Sequence, residues 1–174
     1  MVEKTMPNPI KIIKLINGDD IVCSLPDLSS ISVLRVFILN LWEGIEIEKG
    51  VRIGNGVKIT GNVKICSGTS IGPYSFISSG NGNIIIDKNV MIAPKVSIVS
   101  FNHGVKKSIL KKKQELIPCV IKIEEDVWVG INSVIIGNSI LKKGCVLGAH
   151  SLLIGTTKEY GVYVGSPAKL KKTL

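Results

Sequence analysis

The stretch that decides the fold runs Ile47-Glu-Lys-Gly-Val51-Arg-Ile53-Gly-Asn-Gly-Val57-Lys-Ile59-Thr-Gly-Asn-Val63-Lys-Ile65-Cys-Ser-Gly-Thr69-Ser-Ile71-Gly-Pro-Tyr-Ser75-Phe-Ile77. Isoleucine returns every six residues, and four residues after each stands a smaller or β-branched residue, from Val51 to Ser75. The run resumes at Ile86, Ile92 and Ile98, then at Ile123, Val129, Ile135, Leu141, Leu147 and Leu153. That makes 15 aliphatic positions with no exception inside any run. The late run keeps the second residue as well, at Val127, Ser133, Ser139, Cys145 and Ser151. Six is a multiple of the strand period of two and not of the helical 3.6, so the pattern is not a helical stripe. A meander of hairpins turned at Asn55-Gly56 and Asn81-Gly82 would also alternate, but hairpins give no reason for a constant six.

Six-residue repeats of this kind build a parallel β-helix, in which each hexad supplies one short strand and one corner. Three hexads per triangular coil make the true period 18, and the residue after each aliphatic tests it. On the second face that residue is Gly54, Gly72, Ala93, Gly130 and Gly148. On the first face it is Glu48, Cys66, Asp87, Glu124 and Lys142, and on the third Thr60, Ser78, Val99, Ile136 and Ile154. Small residues stack in one column only. The expected fold is therefore all-β, a parallel β-helix of about five triangular coils with an extended loop after coil three and a C-terminal tail. Three residues added between 77 and 86, and nineteen between 98 and 123, are insertions that preserve phase. The expected organisation is an N-terminal cap region over 1–40, the β-helix over 41–154 with its insertion loop at 104–119, and the tail at 155–174. Leu41, six before Ile47, allows the first coil to begin earlier.

Composition agrees. The chain has 28 Ile and 18 Val against 3 Ala, which disfavours a helix bundle. A hydrophobic fraction of 45% with 20% charged residues excludes a disordered protein. No apolar stretch reaches the roughly 18 residues of a membrane span; Ile31 to Trp42 is interrupted by Arg35 and Asn40. Met1-Val-Glu-Lys4 carries no secretory apolar region. Cys23, Cys66, Cys119 and Cys145 show no metal spacing, so reduced thiols in a cytosol are expected, with no metal. The net charge of +9 favours anionic partners. Only 2 arginines and few aromatics argue against nucleic acid, whose readers use Arg at base edges and aromatic stacking.

Four segments carry a further signal: Ile92-Ala-Pro-Lys-Val-Ser-Ile-Val-Ser-Phe-Asn-His103, Ile123-Glu-Glu-Asp-Val-Trp-Val-Gly130, Val146-Leu-Gly-Ala-His-Ser-Leu-Leu153 and Gly165-Ser-Pro-Ala-Lys169. In order and position they resemble the hexapeptide-repeat acyltransferases. Within that family they are similar to the maltose, galactoside and nodulation-type acetyltransferases and the polysaccharide O-acetyltransferases. The resemblance covers residues 47 to 169, about 70% of the chain. It implies a left-handed coil, a homotrimer with active sites between subunits, and acetyl-CoA as co-substrate without a metal.

Acetyl transfer from a thioester to an alcohol needs a base for the hydroxyl proton, and histidine suits that role. Of the two histidines, His103 matches the family's catalytic histidine, at the corner where coil three leaves into the long insertion. An exposed loop histidine is the plain alternative. His150 stands where the family more often has glycine, and reads as a solvated turn residue near the cofactor groove. The resemblance makes Asn102, Ser75, Asn83 and Trp128 the acceptor-binding candidates, with Asn81 beside Asn83 in the short insertion. Its cofactor-binding candidates are Trp128, Gly130, Gly148, Ala149, Pro167, Lys169 and Lys172, though the sterics of the turn could alone explain glycines in that column. Corner amides could stabilise the thioester oxyanion.

The expected activity is acetyl-CoA-dependent O-acetylation of a sugar hydroxyl, on a saccharide, a bacterial polysaccharide or its lipid-linked precursor. The expected place is the cytoplasm, with the inner face of the membrane as a place where it could act. N-acetylation of an amino sugar nucleotide, O-acetylation of an antibiotic, and a scaffold subunit without chemistry are the alternatives. A zinc carbonic anhydrase of this fold would need three histidine ligands, and the chain has two histidines. Lys106, Lys107, Lys111, Lys112 and Lys113 in the long insertion could steer an anionic acceptor or CoA.

Overall fold

A computed structural model describes residues 29–174, and the first 28 residues of the expected cap region, Cys23 among them, lie outside the described residues. The chain winds through three parallel sheets, one per face of a triangular prism. The first face holds β1 (Ile45–Ile47), β4 (Val63–Ile65), β7 (Asn83–Ile86), β12 (Val120–Ile123) and β15 (Ser139–Leu141). The second holds β2 (Arg52–Ile53), β5 (Ser70–Ile71), β8 (Met91–Ile92), β13 (Trp128–Val129), β16 (Val146–Leu147) and β18 (Gly161–Val164), with β19 (Lys169–Thr173) antiparallel at its end. The third holds β3 (Lys58–Thr60), β6 (Phe76–Ser78), β9 (Ser97–Val99), β14 (Val134–Ile136) and β17 (Leu152–Leu153).

Register matches the phase read from the sequence. Ile47, Ile65, Ile86, Ile123 and Leu141 stack on the first face, and Ile53, Ile71, Ile92, Val129 and Leu147 on the second. Ile59, Ile77, Ile98, Ile135 and Leu153 stack on the third. All 15 are buried, none more than 6% exposed, and they form one continuous core. The smaller residues four positions on are buried too, at the inside of each corner. Both insertions leave the ladders in register, as Ile65 pairs with Ile86 and Ile86 with Ile123.

Two boundaries differ from expectation. The coils begin at Ile45, because Ser29–Leu39 is helical and Leu41 donates its N–H to the Ile38 carbonyl in the exit turn. At the other end the expected tail starts by making a sixth, partial coil. Thr156 bridges Ile140, Thr157 is buried, and Tyr163 takes the core position beside Leu147. The step from 147 to 163 is 16 residues instead of 18, so a strict period misses it.

Helix α1 (Ser29–Leu39) closes the open edge of coil one. An edge strand presents unpaired N–H and C=O groups, and three polar side chains satisfy them. Ile53 donates its N–H to Ser32 Oγ at 2.8 Å, and its carbonyl accepts from Arg35 Nη1 at 2.9 Å. Asn40, just past the helix, accepts from the Ile47 N–H at 2.7 Å and donates Nδ2 to the Ile47 carbonyl at 2.9 Å. The residues that interrupt the apolar run 31–42 are thus the ones that cap the prism. Asn40→Ala leaves both groups of Ile47 without this partner and is expected to cost about 1–3 kcal/mol, read as a lower melting temperature; an unchanged melt contradicts the capping role.

Candidate active site

Both insertions leave from the same edge of the prism, between the third and first faces. The short one departs after Ser79 on coil two, and the long one after Ser100 on coil three. Ser100 joins them to the wall: its N–H donates to the Ser78 carbonyl, and its own carbonyl accepts from the Cys119 N–H as the long insertion returns. The expected insertion loop at 104–119 is larger and more ordered than a loop. Its stem is an antiparallel hairpin of β10 (Phe101–His103) and β11 (Leu116–Pro118), with Phe101 opposite Pro118, Asn102 opposite Ile117 and His103 opposite Leu116. His103 therefore stands on a strand projecting from the edge, three residues after Ser100, and it is exposed.

Three groups hold that hairpin. Gly80 has φ +53°, and a Cβ there would lie 2.5 Å from Cδ1 of the Phe101 ring, so only glycine leaves room for it. The Phe101 ring meets the His103 ring edge-on, with centroids 6.4 Å apart and planes at 71°. Asn81 Nδ2 donates to the carbonyl of Leu116, the residue opposite His103, at 3.0 Å. Further out, Gln114 accepts from the Lys106 N–H at 2.8 Å and donates Nε2 to the Lys106 and Ile109 carbonyls at 3.0 and 2.7 Å. Gly80, Phe101 and Gln114 escaped the sequence reading because these contacts link the two insertions or close one loop, outside any period.

Of the acceptor candidates, Asn102 and Asn83 come to this edge with His103. Asn83 is exposed at the start of β7 and donates its N–H to the Cys119 carbonyl, at the base of the hairpin. Ser75 does not belong with them. It is 1% exposed at the inside of the second corner, where its hydroxyl donates to the Ala93 carbonyl and accepts from the Val96 N–H, both at 3.2 Å. A hydroxyl so engaged in the wall has no face left for a ligand.

The cofactor candidates gather elsewhere. Trp128, 50% exposed, stands on the outside of the second face in a row with Met91, Val146, Val162 and, on β19, Lys172. Gly148 and Ala149 follow at the corner between the second and third faces, and Ala149 is exposed. Exposed Pro167 and Lys169 lie in the chain that crosses the same corner one coil on. Gly130, in the same column as Gly148, is buried, and a Cβ there would lie 2.5 Å from the Ala149 nitrogen and 2.8 Å from the Gly148 carbonyl carbon. Its glycine serves the stacking of coil on coil. His150 occupies this corner too, with φ 55°, exposed, its Nε2 3.5 Å from Asn132 Nδ2.

The first corner carries the shifted groups, and they read as structural. The Lys142 ammonium, hydrogen-bonded to Glu124 at 2.9 Å, holds that carboxyl below its ordinary range, and Lys143 does the same for Glu125. Burial pushes the thiols of Cys145 and Cys66 up, so neither is an activated nucleophile. Among the described residues no three His, Cys, Asp or Glu side chains cluster as metal ligands, and no helix is long and apolar enough to cross a membrane.

Residues 44–79 and 121–155 match the bacterial transferase hexapeptide family (six repeats). A Mycobacterium tuberculosis protein named as an acetyltransferase is 32% identical over 91 residues, which are 52% of this chain and 30% of that protein. A protein named as the lipopolysaccharide biosynthesis O-acetyl transferase WbbJ, from Escherichia coli K12, is 32% identical over 98 residues, 52% of this chain and 50% of its own. The chain thus spans half or less of the length of these relatives. Among solved structures, a hexapeptide-repeat-containing acetyltransferase from Vibrio cholerae superposes with a TM-score of 0.70 at 18% identity, over 95% of this chain and 93% of that one. AntD, an N-acyltransferase from Bacillus cereus in complex with dTDP and 3-hydroxybutyryl-CoA, gives 0.64 at 20% identity, over 75% and 77%. At these identities the likeness is one of fold.

Proposed function

We propose that the chain, whose residues 44–79 and 121–155 match the bacterial transferase hexapeptide family, transfers an acetyl group from acetyl-CoA to a hydroxyl of a saccharide, with His103 as general base. The observation that carries this reading is the projecting hairpin, which holds an exposed imidazole next to Asn102 on one strand, with exposed Asn83 at its base, and braces it through Phe101 and Asn81. An imidazole so presented takes the hydroxyl proton as the oxygen attacks the acetyl carbonyl. The tetrahedral intermediate then collapses, the C–S bond breaks, and the imidazolium returns its proton to the leaving thiolate. The products are an acetyl ester and free CoA. Corner amides are the proposed donors to the oxyanion.

The separation of the two candidate clusters supports a site shared between subunits. Trp128, Ala149 and Lys172 belong to the second face and its far corner, whereas His103 leaves from the opposite edge. In a homotrimer of prisms, one copy's hairpin edge can meet its neighbour's cofactor edge. Trp128 then walls the reacting end, while Lys169 and Lys172 offer charge to the CoA phosphates. The proposed setting is the cytoplasm.

Acetyl-CoA is expected to raise the melting temperature, since a ligand bound only by the native state stabilises it, by about 2.7 kcal/mol at 100 times Kd. Lys169→Gln with Lys172→Gln should shrink that shift while leaving the ligand-free melt unchanged. No shift at saturating acetyl-CoA would count against the reading.

A further inference from the structure

The tip of the long hairpin is not used by the transfer chemistry, yet it is built. Between Gly104 and Cys119 stand Lys106, Lys107, Lys111, Lys112 and Lys113 against a single acid, Glu115. None of the five lysines makes an ion pair within 4.0 Å among the described residues, where the ion pairs fall on other segments. Among these lysines lie three bare aliphatic side chains, Val105, Ile109 and Leu110, exposed by 79, 43 and 63%. Gln114 and the 3-10 turn Lys111–Lys113 fix the backbone between them, so the tip presents its charges and aliphatics together.

We propose that this tip docks the protein on an anionic phospholipid surface, its lysines at the headgroups and Val105, Ile109 and Leu110 at the acyl boundary. Lysine gains from a negative leaflet as a point charge, and aliphatic side chains gain only where they leave water. A small soluble anion gives the aliphatics nothing to bury against. Nucleic acid is disfavoured because segment 104–119 has no arginine and no aromatic residue for stacking. The proposal does not rest on the transfer reaction.

The test is cosedimentation of the full chain with phosphatidylcholine vesicles, and with vesicles of phosphatidylcholine and phosphatidylglycerol in equal parts. Binding is expected only to the anionic vesicles and weakens as salt rises. Lys107→Gln, Lys112→Gln and Lys113→Gln together, none of which holds a hydrogen bond of the loop through its side chain, should lower partitioning about 100-fold. Ile109→Ser with Leu110→Ser should lower it about tenfold or more at unchanged charge. Equal binding to both vesicles, binding to neither, or variants that bind like the parent would overturn the proposal. So would either multiple variant changing the oligomeric mass in solution, which would make the tip a contact between copies. If soluble polyphosphate binds the tip and the serine variant still partitions fully, the site is one for free polyanions and the proposal fails.

Discussion

His103→Ala is expected to lower acetyl transfer to a saccharide hydroxyl by about 10²–10⁴-fold, the usual worth of a positioned base. The melting temperature and assembly should stay close to the parent's. The fold does not need the ring: His103 is exposed, its strand pairs with Leu116 through the backbone, and its ring contact is the edge-on one with Phe101. Losing that contact costs on the order of 1 kcal/mol at most. Kinetics of the purified variant, beside His150→Ala, check the assignment. A loss under tenfold for His103→Ala, or the larger loss for His150→Ala, moves the base off the hairpin.

Gly130→Ala carries the second large effect, and it falls on the protein without any ligand. The added methyl would meet the Ala149 nitrogen at 2.5 Å and the Gly148 carbonyl carbon at 2.8 Å, both backbone atoms of the next coil. Backbone cannot rotate away as a side chain tip can, so coil five must shift off coil four. The cost of such overpacking is about 1–3 kcal/mol, read as an early melt in the absence of acetyl-CoA. If the glycine were there to admit the pantetheine arm, the variant would melt like the parent and lose only acetyl-CoA affinity. Those two outcomes separate stacking from ligand approach.

The ladders were legible because each inward aliphatic recurs at a fixed step, and insertions that conserve phase do not disturb the count. The sixth coil was not legible, because Lys158 and Glu159 stand where an aliphatic would be expected and Tyr163 comes two residues early. Helix α1 hid for another reason. Ser32, Arg35 and Asn40 look like interruptions of an apolar run, and only the three-dimensional edge of coil one gives them partners.

At the candidate site, a resemblance in sequence singled out His103 and Asn102 as candidates, while the groups that brace their strand were not legible. Gly80 and Phe101 are 21 residues apart and meet because both insertions leave one edge of the prism. Ser75 is instructive in the other direction. It falls four residues after Ile71, the same step that puts Thr69, Ser133, Ser139 and Ser151 inside their corners, so its burial was written in the repeat. The lysine tip was visible as charge, and its aliphatics suggest from sequence that part of it packs; in the fold Ile109 and Leu110 are exposed, and Gln114 orders the loop.

The most direct measurement is thiol release from acetyl-CoA, with the parent protein and His103→Ala side by side, across a panel of saccharides and nucleotide sugars, with the product linkage read by mass and alkali lability. The account predicts saccharide-dependent release by the parent, an acetyl group in ester linkage, and near-complete loss in the variant. Equal release by both proteins, an amide product on an amino sugar, or no saccharide-dependent release from a folded protein that binds acetyl-CoA would contradict it.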